Sequence, residues 1–197
     1  MPVADEILQS LQWEPNQPPP GLPRQERLRR IRHSASHLMA QAVRELFPTV
    51  KLAIGPPIEN GFYYDMELPR SLTEADLPEI EKRMRKIVAR NPPFFHAMLA
   101  RDRAIALFRE WNQDYKVELL DGIHDPQVSF YKQDRFIDLC AGPHVAMGGA
   151  CGHFKLLSLA GAYWRGDEHK AMLQRIYGTA WETEAELNEY LQFLEDS

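Results

Sequence analysis

Cysteine is scarce in this chain of 197 residues, occurring twice, at Cys140 and Cys151. So small a supply excludes a disulfide-dense secreted scaffold, and both residues read as thiols in a reducing compartment, the cytoplasm. Long apolar runs are missing too. No stretch approaches the roughly 20 residues needed to cross a bilayer, so no membrane partner is expected. The opening MPVADEILQSLQWEP carries acids and lacks a basic leader, which is not the composition of a signal peptide. Positive charge is not in excess: the formal net charge is −5, which argues against a general nucleic-acid binder. The composition left, 44% hydrophobic and 26% charged, fits one large domain or a domain with an appendage.

The charge is nevertheless uneven. RQERLRRIRH (24–33) places five arginines within nine residues, EKRMRKIVAR (81–90) is a basic helix candidate, and ETEAELNEYLQFLEDS at the end is acidic. A local basic patch can hold a phosphate backbone, or the arginines can simply solvate helix faces, and composition leaves both readings open. Residues 1–23 predict a short helix followed by a linker, because the prolines of EPNQPPPGLP remove donors and fix φ. The folded body is expected over 24–197. Leu28, Ile31, Ala35, Leu38, Ala42, Val43 and Leu46 recur at helical spacing and predict a long helix ended by Pro48. IENGFYYD reads as a hairpin around Asn-Gly. Thr73 and Asp76 cap a helix running to Asn91, and 101–111 predicts another. YKVELLDG, VSFYKQD, RFIDLC, FKLLSLAGAYWRG and AMLQRIYGTAW read as strands, with a final helix after them. The expected class is α+β with a largely antiparallel sheet.

Two short motifs suggest chemistry. HSASH puts His33 and His37 on one helical face, at i and i+4. DLCAGPHV puts Cys140 at a strand end and His144 beyond a turn imposed by Pro143. A helical pair facing a strand-turn pair suits a tetrahedral His₃Cys centre, for which zinc is the natural occupant. Each motif alone is equally readable as packing: His33 on an arginine-rich helix, His37 in the core. Four protein ligands also make a closed, structural zinc site, whereas catalysis needs an open position. Chemistry here therefore requires that one ligand let go, or that the side chains act without metal. Asp138, on the strand face of Cys140, is a candidate to orient a water or a histidine. Lys116 is a candidate oxyanion stabiliser, and Cys140 as nucleophile is an alternative.

Taken in order, HSASH, AIGPPIENGFYYD, YKVELL, FIDLCAGPHV, HFKLLSLAGAYWRGD and LQRIYGTAW resemble the editing domain of bacterial threonyl-tRNA synthetase over about residues 24–197. The related alanyl-type domains usually end the cysteine motif in Gly-Thr-His, where this chain has Gly142-Pro143-His144. The resemblance implies the α+β domain shared by the threonyl and alanyl enzymes. Its implied activity is hydrolysis of serine from the acceptor end of tRNA(Thr). It implies His33, His37, Cys140 and His144 as the signature set, Lys116 and Asp138 as polar catalytic partners, and Tyr64 in the pocket. The family's usual arginine after the cysteine is Ala141 here. The aminoacylation domain that would follow is expected to be absent, so the chain reads as an excised or free-standing editing unit, with that domain of a longer chain as its candidate partner. Rival readings are a zinc-stapled tRNA-binding module, a small-molecule metallohydrolase, and alanyl-type editing.

Overall fold

The computed structural model describes residues 3–197. In chain order its elements are α1 (Val3–Ser10), β1 (Glu14–Pro15), α2 (Arg24–Leu46), β2 (Lys51–Leu52), β3 (Pro57–Ile58) and β4 (Gly61–Glu67). There follow α3 (Leu77–Ala89), β5 (Phe94–Ala100), α4 (Arg101–Glu110), α5 (Asp114–Asp121), β6 (Gln127–Gln133) and β7 (Phe136–Leu139). The last are β8 (His153–Tyr163), β9 (Met172–Trp181) and α6 (Glu184–Glu195). The class is α+β and the strand pairs are antiparallel, as expected. The strands form two sheets rather than one: β1-β5-β6-β7, and β2-β4-β9-β8 with β3 added to β4. Among the described residues, no helix is long and apolar enough to cross a membrane.

Helix α2 is the spine between the sheets. Every residue from Arg32 to Val43 is buried. A helix buried all round is ordinarily apolar all round, but this one is divided. Ile31, Ala35, Leu38, Met39 and Ala42 share a core with Phe62, Tyr64 and Met66 of β4 and Ile176 and Ala180 of β9. Toward the other sheet it is polar, and Gln133 of β6 donates to the His37 carbonyl at 3.2 Å and to Gln41 at 3.3 Å. Small residues such as Ser34, Ala35, Ser36, Ala40 and Ala42 let both sheets approach the helix axis. Helix α3 completes this core with Ile80, Met84 and Ile87.

Several local expectations need adjustment. YKVELLDG is helix α5, not a strand; its buried residues Tyr115, Lys116 and Leu120 follow helical rather than alternating spacing, which so short a run disguises. Strand β5, preceded by two prolines, was not expected, yet it pairs with β6 from Phe94 to Ala100. In the hairpin, Ile58 pairs with Gly61, so Asn60 itself takes the left-handed turn position at φ 62. The Thr73–Asp76 box caps a 3₁₀ turn that leads into α3. Both cysteines are free.

The leader is built into the fold. Ala4, Ile7 and Leu11 join a second core with Leu107, Phe108 and Phe130, and β1 pairs with β5. The expected linker thus contributes an edge strand, where proline is tolerated because no ladder donor is needed. The first two residues of that leader lie outside the described ones. Replacing Ile7, only 2% exposed, by alanine should lower the unfolding free energy by about 2–4 kcal/mol in urea titration. An unattached tail would leave the midpoint unchanged.

Candidate functional site

His33 and His37 project from one face of α2 toward the segment that follows β7. Cys140 extends that strand by one more ladder bond, its amide donating to the Ser129 carbonyl at 3.0 Å. The chain then reverses at Gly142, whose φ of +81° suits glycine and where an added Cβ would meet the Tyr131 hydroxyl at 2.5 Å. The Gly142–Pro143 peptide is cis, and His144 returns beside the thiol. Cys140 Sγ lies 3.3 Å from Nε2 of both His33 and His144. Donor atoms of His33, His37, Cys140 and His144 all fall within 4.8 Å of one another.

This donor set fits zinc. Bonds of about 2.0–2.3 Å in a tetrahedron place ligand atoms roughly 3.3–3.8 Å apart, and the separations of Cys140 from His33 and His144 already lie at that spacing. For His33 and His144 the outer contacts are also those a metal-binding histidine needs. His33 Nδ1 is 3.0 Å from the Pro143 carbonyl; a carbonyl only accepts, so Nδ1 carries the proton and Nε2 faces the thiol with a lone pair. His144 Nδ1 is 2.9 Å from Ser34 Oγ, which also accepts the Val145 N–H at 3.0 Å. His37 Nδ1 is buried without a hydrogen-bond partner among the described residues and sits 3.8 Å from Asp138. Burial lowers His33 to about 4 and His37 to about 3, and pushes His144 well down, so all three imidazoles are neutral. Burial also pushes the Cys140 thiol up to about 12, the reverse of what activates a nucleophilic cysteine.

A second cluster adjoins the first. Lys116 from α5, Tyr64 from β4 and Asp138 from β7 are all buried. Lys116 Nζ donates to Asp138 Oδ1 at 2.9 Å and to the Tyr64 hydroxyl at 3.0 Å, and that hydroxyl donates to Asp138 Oδ2 at 2.7 Å. Burial pushes the Asp138 carboxyl up, but Lys116, His37 and the Tyr64 hydroxyl outweigh it, leaving Asp138 below the usual range. Gly55 allows Tyr64 its place, since a Cβ there would lie 2.1 Å from the ring. The histidine that Asp138, a candidate to orient a water or a histidine, faces is His37. The turn after Cys140 carries the thiol to His33, while Asp138, two residues earlier, meets the next turn of α2. All seven residues named from the sequence are close together, and six of them (His33, His37, Tyr64, Lys116, Asp138 and Cys140) line one cavity of about 350 Å³. His144 is the seventh, fully buried behind it.

Sequence reasoning passed over the residues that hold this centre from behind. Ser34 lies within HSASH and could have been noticed as a polar residue one helical step from His33. Asn16 left no signal: from 128 residues away its amide donates to the carbonyls of His144 and Val145, both at 2.9 Å. Arg30 donates to the same His144 carbonyl at 3.0 Å.

Comparison with known proteins adds relatives to this geometry. Residues 128–177 match the family described as threonyl and alanyl tRNA synthetase second additional domain. A threonine–tRNA ligase from Dehalococcoides mccartyi (strain CBDB1) is 56% identical over 167 residues, 85% of this chain and 28% of the relative. One from Rubrobacter xylanophilus is 52% identical over 167 residues, 85% of this chain and 26% of the relative. Another from Polaromonas naphthalenivorans is 51% identical over 173 residues, 87% of this chain and 27% of the relative. The chain spans about a quarter of the length of these curated relatives.

Two outcomes follow from the geometry. Lys116→Ala strands the buried Asp138 carboxylate and should destabilise the fold by about 3–5 kcal/mol in urea titration; the Lys116→Met/Asp138→Asn pair should cost clearly less. Metal-free protein titrated with zinc should bind one ion per chain by elemental analysis, and Cys140→Ser should abolish that uptake.

Proposed function

The chain belongs to the threonyl and alanyl tRNA synthetase second additional domain family, and from that premise we propose that it hydrolyses serine wrongly esterified to tRNA(Thr). The observation that carries this reading is the buried Lys116–Tyr64–Asp138 cluster, which opens with His33 onto a single cavity. An ester asks for little beyond a placed water and positive charge near its carbonyl oxygen. An ammonium has three N–H donors. Asp138 and Tyr64 take two of those on Lys116, and the third serves the oxyanion. Since the ammonium is fixed before substrate arrives, its charge acts without reorganisation.

His33 contributes position rather than basicity. Its acidity, held near 4 by burial, makes it a poor proton sink at neutral pH, but its unprotonated Nε2 can accept a hydrogen bond from the attacking water. Tyr64 and Gly55 form a tightly packed wall of the amino-acid pocket. Serine and threonine differ by one methyl, and a threonine-selecting site gains only about 1–3 kcal/mol from it. A second pocket reverses the size test: it admits serine and turns threonine away by clash.

Zinc held by His33, His37, Cys140 and His144 would supply a closed staple joining α2 to the loop after β7. That donor set favours a second reading, a zinc-stapled tRNA-binding module without hydrolysis. Incubating metal-free protein with Ser-tRNA(Thr) and Thr-tRNA(Thr) and measuring released amino acid separates the two. Rapid loss of serine, with threonine near background, is expected. His33→Ala should slow serine release roughly ten- to a hundredfold. Added zinc should suppress release, because the Nε2 lone pair cannot serve both metal and water. Intact seryl ester after incubation with metal-free protein would sink the hydrolytic reading and leave the module.

A further inference from the structure

The five arginines between residues 24 and 32 are not equivalent. Arg24 pairs with Glu186, and Arg27 pairs with Glu182 at 2.8 Å. Arg30 is committed to the His144 carbonyl. Arg32 is buried, donating to the Ala180 carbonyl at 3.0 Å while lying over the Trp181 ring. Only Arg29 is exposed with neither a hydrogen bond nor a carboxylate partner among the described residues. It lies one helical turn before His33 and lines the same cavity.

Arg29 and Pro57 also line a second depression of about 350 Å³, bounded by Gln25, Arg32 and the turn that begins at Ile58. The two hollows therefore adjoin along the first turns of α2. In the outer one Arg32 keeps one guanidinium nitrogen buried and without a partner. Exposed Ile54 and Ile58, at 40% and 39%, provide apolar surface on which base faces can rest, one in each hollow. Glu26 and Glu59 stand at the outer rim and are exposed, so an anion in this groove is favoured only on the side of the α2 arginines, where Arg29 is the exposed one.

We propose that this groove, between the start of α2 and the β3–β4 hairpin, is the path by which the single-stranded 3′ end of the RNA leaves the reaction cavity, with Arg29 holding its phosphate. The inference rests on the deacylation reading and adds the route and the cation. A net-negative protein cannot rely on diffuse attraction to RNA, so an uncommitted guanidinium at a fixed place in the groove also sets the register of the strand.

The test compares kcat/KM for seryl-tRNA(Thr) with that for seryl-adenosine, which lacks the phosphate. Arg29→Ala should lose roughly tenfold on the tRNA substrate, the worth of about one charge-assisted contact, and nothing on seryl-adenosine. Arg29→Lys should recover most of the loss. The slope of log affinity for uncharged tRNA(Thr) against log salt should shrink by about 0.7, as for one single-strand phosphate. Arg27→Ala, whose guanidinium is already paired, should change neither quantity. Equal losses on both esters, or no loss and an unaltered salt slope, would overturn the groove. A parent protein that cleaves neither ester sinks the deacylation reading instead, and the salt slope then decides the groove alone.

Discussion

The ion pair between Lys116 and Asp138 is the constraint around which the rest is arranged. Each charge is buried, and neither would be tolerable alone. Bringing them together requires α5 and β7 to converge, and Tyr64 draws in β4 by bridging both partners. His37 of α2 faces the same carboxylate. Four elements, one strand from each sheet together with α2 and α5, thus meet at one carboxylate. This explains why the spine helix is polar on one side although it is buried on all sides.

The long elements were legible because periodicity and caps survive in local sequence. Helix α2 shows its apolar stripe plainly, and α6 announces itself through Thr183 and Glu186, which form a full capping box. Helix α5 was misread because eight residues are too few to separate alternating from helical spacing when tyrosine, valine and leucines all count as apolar. Strand β5 was missed since its register is supplied by β6, a neighbour about thirty positions away in sequence. The leader's attachment was equally invisible. Prolines declare what a segment cannot do by itself, not which sheet edge will accept it.

At the site, spacing alone grouped His33 with His37 and Cys140 with His144, since helical and turn geometry are local facts. Which histidine Asp138 would face was not legible, for a non-local reason: which turn of α2 meets β7 is decided by packing between layers. Lys116 and Asp138 were separate candidates in the sequence, with nothing to pair them. Their mutual burial is a tertiary event, which neither their candidacy as an orienting carboxylate and a fixed cation nor the resemblance to a known family contained. The basic stretches illustrate the same limit. Most of those arginines are committed to carboxylates, carbonyls or an aromatic ring, so a cluster of like charges in sequence became a set of separate internal ties. Arg83, Arg85 and Arg90 of the second stretch are likewise paired, with Glu45, Glu81 and Asp134.

The donors of the His33–His37–Cys140–His144 centre come from two bodies: a helix rooted in one core and a loop hung from the other sheet. Their spacing is therefore a gauge of the distance between the cores. Any ion clamped by all four would fix that gap, and its binding free energy would appear as added resistance to unfolding. The two layers would then melt as one cooperative unit rather than loosening in succession.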